Sequence, residues 1–400
     1  MLVRKLLAVM VILAGSAGST LGAQAPADSA AACVEDYDAE RDYFPVKSEV
    51  EYAEGFTIEY FKHYQVVTIR KPYLGATEAD GFRYVLVQCG TPAPEGFEGV
   101  PVIEVPIESA IVMSTTQLPH FTTLGILDAL VGVDGGFYIS TPEIAAKYAA
   151  DGLAEVGYGS EVNAEVAVDT GAEVVFTFAS GLPEYDSFPK LEEAGMQTAI
   201  NAEYAEISPL ARAEWIKFTA AFFNREAEAA AYFGAVAGEY EALAALTAEL
   251  TPEERPDVLW NSFSSYIDAW AIPGAETYVG VLLKDAGADV VLADRAPLES
   301  VNVSFETAYE AGIAAEVWFP LVYGISTLEG LAASDERYVD FGAFQTGAVY
   351  NTDGRVNANG GNDYFENGVN EPQVVLADLI AILHPAVLPE HTLVYLRKME

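Results

Sequence analysis

The chain has 400 residues, and 51% of them are apolar, so it is long enough for two globular lobes and too apolar to be disordered. Its 60 acidic and 20 basic residues give a formal net charge of −40 at pH 7. A surface this acidic repels phosphate groups, which argues against nucleic acids and anionic membranes as direct partners.

The N-terminus has the pattern of an export signal. Two basic residues precede an apolar stretch at 6–14, and small residues then lead to a cleavage position after Ala23. The apolar stretch is too short for a transmembrane helix. We therefore predict a signal peptide at 1–23 and a flexible leader at 24–32. The mature protein is expected to be exported, to a periplasmic or other extracytoplasmic compartment.

Cys33 and Cys89 are the only cysteines, and they allow two interpretations. Either they form a disulfide, as suits an oxidising compartment, or Cys33 is acylated as the anchor of a lipoprotein, after a weak signal of three alanines. Asp28 lies where an acylation signal is normally apolar, so the sequence favours the disulfide. If the disulfide forms, contact with a membrane is expected only through a membrane protein partner. If Cys33 is acylated instead, its lipid also attaches the protein to the membrane.

Strands and helical patterns alternate from residue 57 onward, which is typical of α/β layers. Residues 33–100 are predicted to form a β-rich N-terminal extension, with strands at 65–70 and 84–89. A first lobe is predicted at 101–223. Its strand-like segments are 101–107, 110–114, 131–133 and 173–178.

The middle of the chain has no strand signal between Pro209 and Leu250. Apolar residues at 232, 236, 240, 243, 246 and 250 fall three or four apart, which predicts one apolar helix stripe. We predict two helices here, the second at 224–250. At 1.5 Å per residue it would be roughly 39 Å long, enough to connect two lobes rigidly.

The alternation resumes in a second lobe at 251–400. Strands are predicted at 257–260, 289–293, 316–319 and 347–350, and a closing helix at 374–383. The predicted fold class is therefore α/β. It has two three-layer lobes joined by a long rigid interlobe helix, preceded by the β-rich extension.

A weak internal repeat relates the two lobes. Glu165 and Glu306 each follow a helix-capping residue by two positions, precede a glycine by six and lead into an apolar strand. Such a repeat on both sides of a long helix predicts two similarly built lobes.

Six short segments in the last three quarters of the chain carry a family likeness. They are Ser208–Phe218, Val349–Asn351, Arg355–Asn357, Gly360–Tyr364, Leu376–Ile380 and His384-Pro385. With these segments the chain resembles the solute-binding proteins of iron-siderophore and vitamin B12 type ABC importers, from about residue 100 to the end. The β-rich section that holds Cys33 and Cys89 is similar to that of one branch of the family.

The resemblance implies two α/β lobes joined by one rigid helix, which hold a ligand between them and deliver it to a membrane permease. It implies a monomeric carrier with no cofactor and no catalytic residues. An iron chelate is the expected ligand, because this branch is more similar to iron carriers; a corrinoid or haem is the alternative.

The resemblance also gives the repeat a role. In the family, one surface glutamate per lobe docks onto arginines of the permease, and Glu165 and Glu306 fall at the matching positions. The alternative, that each glutamate only favours a helix N-terminus through the helix dipole, stays open.

Ligand contacts are predicted from the rule that open α/β sheets bind ligands beyond the carboxyl ends of their strands. The loops there are rich in aromatic and small polar side chains, which suit a large, partly apolar ligand. The predicted contacts are Thr115, Thr116, Gln117, Tyr138 and Ser180 in the first lobe and Tyr266, Trp270, Tyr278, Tyr323, Tyr350 and Arg355 in the second. Arg355 is expected to bind an anionic group of the ligand, or else to pair with Asp353 or Glu366. Arg212 and Glu214 either line the cleft or clamp the start of the first interlobe helix, and the sequence favours the structural role.

Two other classes of protein fit the sequence less well. A carrier of bare zinc or manganese needs a cluster of histidines and carboxylates, and of the four histidines only His120 is near a predicted ligand loop. The Gly-x-Ser-x-Gly, Walker A and His-Glu-x-x-His motifs are absent, so the remaining enzyme hypothesis is a secreted hydrolase that uses a carboxylate pair.

Overall fold

The structure is a computed structural model that describes residues 33–400. The predicted signal peptide and leader lie outside the described residues. Within residues 33–400, no helix combines the length and the apolar character needed to cross a membrane.

The N-terminal extension is a four-stranded sheet. Its strands are β1 (Phe56–Tyr60), β2 (Tyr64–Ile69), β3 (Phe82–Gln88) and β4 (Val102–Val105). The first three are antiparallel, and β4 pairs parallel to β3, so the sheet includes a strand that the sequence assigned to the first lobe. Cys33 and Cys89 form the expected disulfide, which ties the start of the described chain to the end of β3.

The first lobe contains a five-stranded parallel sheet in the order β7-β6-β5-β8-β9. Its strands are β5 (Ala110–Val112), β6 (Leu130–Val133), β7 (Ala154–Glu155), β8 (Val174–Thr177) and β9 (Gln197–Ile200). Its helices are α1 (Leu118–Thr123), α2 (Pro142–Ala149), α3 (Ala164–Asp169) and α4 (Phe188–Glu193). Every residue of β5 and β8 is buried, as expected for central strands covered on both faces.

Three helices follow: α5 (Pro209–Ala213), α6 (Ile216–Ala221) and α7 (Glu226–Thr247). Asn224 has a φ of +52°, a left-handed conformation that separates α6 from α7. The 22 residues of α7 span about 33 Å, slightly less than predicted.

The second lobe contains a parallel sheet in the order β13-β10-β15, continued by a parallel bridge between Trp318 and Val349. Strands β11, β12 and β14 form a small antiparallel sheet, and β16 pairs antiparallel to β17. The strands are β10 (Asp257–Trp260), β11 (Phe263–Ser264), β12 (Ala269–Ile272), β13 (Asp289–Val290), β14 (Val301–Val303), β15 (Val317–Phe319), β16 (Tyr350–Asn351) and β17 (Arg397–Lys398). The helices are α8 (Tyr278–Asp285), α9 (Phe305–Gly312), α10 (Leu328–Ser334), α11 (Gly342–Thr346), α12 (Asn367–Asn370) and α13 (Pro372–Leu383).

Helix α7 contacts both lobes. It packs against α6 and α1 of the first lobe and against α13 of the second. Two tyrosines of α7 bond to the second lobe: the Tyr232 hydroxyl donates to the carbonyl of Asn370 (3.0 Å), and the Tyr240 hydroxyl donates to Asp285 (2.7 Å). The predicted stripe ends earlier than the sequence indicated, because Leu246 is exposed.

A buried carboxylate fastens the extension to the helices that precede α7. Glu214 has no exposed surface, and it accepts hydrogen bonds from the backbone N–H groups of residues 51, 52 and 53 at 2.7–2.8 Å. Lys217 is also buried and lies 2.7 Å from the same carboxylate. Arg212 lies close by and donates to the carbonyls of Tyr204 and Glu206. These contacts give Arg212 and Glu214 structural roles.

Glu214→Gln is expected to lower the free energy of unfolding by about 3 kcal/mol, because it leaves Lys217 as an unpaired buried charge and replaces an acceptor by an amide. Urea denaturation at constant m-value measures the change. Glu54→Gln is the matched control. Its ion pair with Lys71 is exposed, so its loss should cost less than about 1 kcal/mol. Equal effects of the two substitutions would contradict the assignment.

Candidate functional site

A cavity of about 830 Å³ lies between the two lobes. The first lobe contributes loops that follow β5, β6, β7 and β8, and the second contributes loops that follow β15 and β16, so both parallel sheets direct the carboxyl ends of strands toward it. The lining residues are Met113, Ser114, Thr115, Asp134, Gly135, Tyr138, Tyr158, Phe178, Leu321, Val322, Tyr323, Gly324, Thr352, Asp353, Val356, Gly360, Asn362 and Phe365.

Five aromatic rings line this cavity, three from the first lobe and two from the second. They are Tyr138, Tyr158, Phe178, Tyr323 and Phe365. Four of them are more than half exposed, and Tyr323 is 76% exposed. Exposed aromatic surface gathered in one concave site is typical of a ligand site, because rings bury much area on binding at a low cost in conformational entropy.

Two carboxylates face the same cavity. Asp134 follows β6, and one of its oxygens accepts a hydrogen bond from the N–H of Gly135 (2.8 Å). Burial raises the pKa of Asp134 to about 6, and the nearby carboxylate of Glu155 also raises it. In the second lobe, Asp353 pairs with Arg397 through Oδ2 at 2.8 Å, while its Oδ1 is buried and has no hydrogen-bond partner among the described residues.

Hydrogen bonds join the two lobes beside the cavity. The Glu366 carboxylate of the second lobe accepts hydrogen bonds from the N–H groups of Ser140 and Thr141, each at 2.7 Å, and from the Thr141 hydroxyl at 2.6 Å. These donors lie at the N-terminus of α2 in the first lobe, where a negative charge is favourable. Asn357 adds bonds from its side-chain amide to the carbonyls of Phe137 and Ile139.

His120 makes a second contact between the lobes. Its Nε2 lies 2.8 Å from Asn370 Oδ1 in the second lobe, and its Nδ1 lies 2.8 Å from the Thr219 hydroxyl. Because Oδ1 is an acceptor, Nε2 carries the hydrogen and Nδ1 accepts from Thr219. Burial lowers the pKa of His120 from 6.5 to about 4, so the imidazole is neutral at pH 7.

Thr115, Tyr138 and Tyr323 are the predicted ligand contacts that the structure brings together in the cavity. Tyr138 and Tyr323 come from opposite lobes. The loop at Gly360 and Gly361 runs beside both, since a β-carbon at Gly360 would meet the Tyr323 hydroxyl and one at Gly361 would meet the Tyr138 carbonyl.

Three predicted first-lobe contacts lie outside the cavity lining: two bond to other side chains of the lobe, and one is buried within it. Thr116 donates to the buried carboxylate of Glu203 (2.6 Å), and Gln117 is itself buried. Ser180 donates to Asp186 (2.8 Å).

Five predicted second-lobe contacts also lie outside the lining, mostly because they pack in the core. Trp270 is fully buried and donates to the Trp260 carbonyl, Tyr278 is buried beneath Arg212, and Tyr350 packs against Phe319. Tyr266 is 95% exposed at the tip of the β11–β12 hairpin. Arg355 pairs with Asp363 at 3.1 Å rather than with Asp353 or Glu366.

The cavity also contains residues that the sequence reasoning missed. Asp134 immediately follows the strand predicted at 131–133, so the strand-end rule itself would have selected it. Tyr158 follows β7, which has only two residues and leaves no strand pattern in the sequence. Val356 and Asn362 lie in segments that carry the family likeness, and Phe365 directly follows the second of them. Among residues 33–400, no group of three or more potential metal ligands is arranged to hold an ion.

Glu165 and Glu306 occupy equivalent places in the two lobes. Each is exposed and is the second residue of a short helix, after Asn163 at the start of α3 and after Ser304 at the start of α9. Both capping side chains accept a backbone N–H. Hydrogen bonding to its own N–H and to Ser304 lowers the pKa of Glu306 below its usual value.

Comparison with known proteins places this geometry among related folds. Residues 111–356 match the family model described as periplasmic binding protein. An uncharacterized lipoprotein of Methanocaldococcus jannaschii is 26% identical over 327 residues, which are 77% of this chain and 74% of the relative.

Two solved structures share the fold. A periplasmic haem-binding protein from Pseudomonas aeruginosa has a TM-score of 0.54 at 16% identity, over 74% of this chain and 98% of that one. An ABC-type Fe3+-hydroxamate transport system protein from Saccharomonospora viridis has a TM-score of 0.51 at 16% identity, over 70% of this chain and 94% of that one.

Acid should weaken the fold through His120. The native imidazole resists protonation down to about pH 4, whereas the unfolded one binds a proton near 6.5. This contribution is therefore fully present above about pH 6.5 and is lost as pH falls toward 4, by about 3 kcal/mol in total. Urea denaturation between pH 7.5 and 4.5 should show a smaller loss for His120→Gln than for the wild type. His63→Gln, in the extension, is the control. Identical pH profiles for all three proteins would contradict the assignment.

Proposed function

Since the chain belongs to the periplasmic binding protein family, we propose that it is the extracytoplasmic solute-binding component of an ABC importer. It captures an iron-siderophore or similar iron chelate between its two lobes and delivers it to a membrane permease. The observation that carries the proposal is the cavity of about 830 Å³, open between two parallel sheets and lined by five aromatic rings. A cavity of this size suits a drug-sized or larger solute.

The structural neighbours support an iron-containing ligand. Their names include an Fe3+-hydroxamate system, haem-binding proteins and a possible iron-binding protein. A carrier of the same fold that binds haem or a corrinoid is the alternative. All three ligands are large and present flat or apolar faces that aromatic side chains can cover.

A carrier role fits the site better than catalysis does. The family consists of binding proteins, and the side chains Asp134 and Asp353 come from loops of opposite lobes within an aromatic cavity. A hydrolase that uses this carboxylate pair is the hypothesis of a different class, and turnover of a substrate would reveal it.

The extracytoplasmic location agrees with the family and with the relatives named as lipoproteins. For this chain the disulfide occupies the sulfur of Cys33, the atom that a lipid anchor would need. We propose that the disulfide form is the mature one, and the intact mass of the secreted protein distinguishes it from an acylated form.

Glu165 and Glu306 are proposed to dock onto basic residues of the permease. Their equivalent positions, their exposure to solvent and their location in opposite lobes support this role, since a permease that holds both glutamates would hold both lobes at once. An acidic docking face and a basic partner also attract each other at a distance.

Ligand binding is tested by titrating the protein with ferric siderophores, haem and a corrinoid, and by following tryptophan fluorescence. Saturable quenching without conversion of the ligand is expected for an iron chelate. Tyr138→Ala and Tyr323→Ala should each weaken binding roughly tenfold, by loss of buried ring area. Tyr266→Ala is the control, because this ring lies outside the cavity lining. Product formation, or an unchanged affinity in both cavity variants, would overturn the proposal.

Docking is tested by uptake of the bound solute into vesicles that contain the permease. Glu165→Ala and Glu306→Ala are expected to reduce uptake at least about tenfold while ligand affinity stays unchanged, because they remove charge pairs with the permease only. Asp169→Ala and Glu310→Ala, exposed acids on the same two helices, are the matched controls. A uniform effect of all four substitutions would indicate general surface charge instead of docking.

A further inference from the structure

We propose that the solute carried in this cavity has no net negative charge, so that the protein selects uncharged or cationic chelates and rejects anionic ones. The inference rests on the proposed function and narrows its ligand. It follows from a count of the charges that face the cavity and of the partners that neutralise them.

The basic residues beside the cavity are already paired. No Arg, Lys or His is among the lining residues. In the second lobe, Arg397 binds Asp353 at 2.8 Å and the Ser326 carbonyl at 3.0 Å. Arg355 binds Asp363 at 3.1 Å and lies over the ring of Tyr395. Each arginine thus neutralises one carboxylate, and neither belongs to the cavity lining.

The first lobe adds a negative charge without a counter-ion. Asp134 lines the cavity and forms no ion pair within 4.0 Å of a basic group among the described residues. Glu155 and Asp186 lie close enough to shift the pKa of neighbouring groups, which adds further negative potential. Lys190 is the nearby base of α4, and its ammonium group donates to the carbonyl of Ser160.

An anionic chelate would therefore enter a partly buried site that holds an uncompensated carboxylate. Like charges in a poorly solvated site repel strongly, and the anion would also lose water without gaining a cationic partner. An unpaired arginine or lysine is the strongest side-chain partner for a bound anion. Within the described part of the chain, the cavity lining contains neither.

The same groups favour a positive charge. Tyr138, Tyr158 and Tyr323 line the cavity beside the carboxylate of Asp134, and aromatic rings attract cations that lie over their faces. The net charge of −40 also draws cations toward the protein at low ionic strength.

The test uses one chelate scaffold in three charge states. Ferrioxamine B carries a protonated amine and one positive charge, its N-acetyl derivative is neutral, and its N-succinyl derivative carries one negative charge. Calorimetric titration of the wild-type protein at pH 7.5 and low salt should give the tightest binding for the cation or the neutral form. The succinylated form is expected to bind at least about tenfold more weakly than ferrioxamine B.

Asp134→Asn tests the source of this preference. It should reduce the affinity ratio between ferrioxamine B and its succinylated form at least about threefold. Asp169→Asn, an exposed acid of the same lobe, should leave the ratio unchanged. The titrations of the wild-type protein with the three ferrioxamine derivatives test the charge preference even if neither variant folds. Equal or tighter binding of the succinylated form by the wild type would overturn the inference while leaving the carrier function intact.

A pair of corrinoids tests the charge preference even if the ligand is not an iron chelate. If no ferrioxamine binds, cationic aquacyanocobinamide and the polycarboxylate cyanocobyrinic acid provide the same comparison on one ring. Preference for the cobinamide supports the charge rule with a corrinoid as cargo, and preference for the acid overturns it. Absence of binding by every member of both sets overturns the proposed function together with the inference.

Discussion

Buried carboxylates that accept several backbone N–H groups hold this molecule together. Glu214 binds three consecutive N–H groups of the extension, and Asp378 binds those of residues 394, 395 and 396 near the C-terminus. Glu366 does the same across the gap between the lobes. Glu214 and Glu366 join segments more than 150 residues apart, and Asp378 joins α13 to the chain 16–18 residues later. Since a desolvated carboxylate is tolerated only with such donors, each one also fixes the path of the segment that it binds.

These contacts explain which segments carried the family likeness. Three of the most distinctive short segments contain Glu214, Asp363 and Asp378, and all three carboxylates are buried in bonds to other parts of the same chain. The segments therefore define the frame of the fold. The cavity is built instead from strand-end loops, where side chains change without disturbing the frame. The segments at 355–357 and 360–364 are the exception, because Val356, Gly360 and Asn362 also line the cavity.

The sequence predicted the frame well and the cavity only in part. Strand β10 lies where the alternation indicated, and α7 begins within two residues of the predicted start, because period and length are local properties. The strand-end rule selected the loops of Thr115 and Tyr323, which line the cavity, but it carries no information on the direction of a side chain. Trp270 was therefore assigned to the ligand although it packs in the core, and the partner of Arg355 was not identified.

The apolar core limits how far the two lobes can separate. A single cluster of buried apolar side chains runs without a break from Phe44 in the extension, through Phe233 in α7, to Leu396 in the second lobe. A large opening of the two lobes would break this shared apolar core. It would also expose the apolar side chains of the core to water. A wide separation of the lobes would therefore be costly for the protein alone. Any such separation would have to be driven by a binding partner whose contacts offset the apolar area that it exposes.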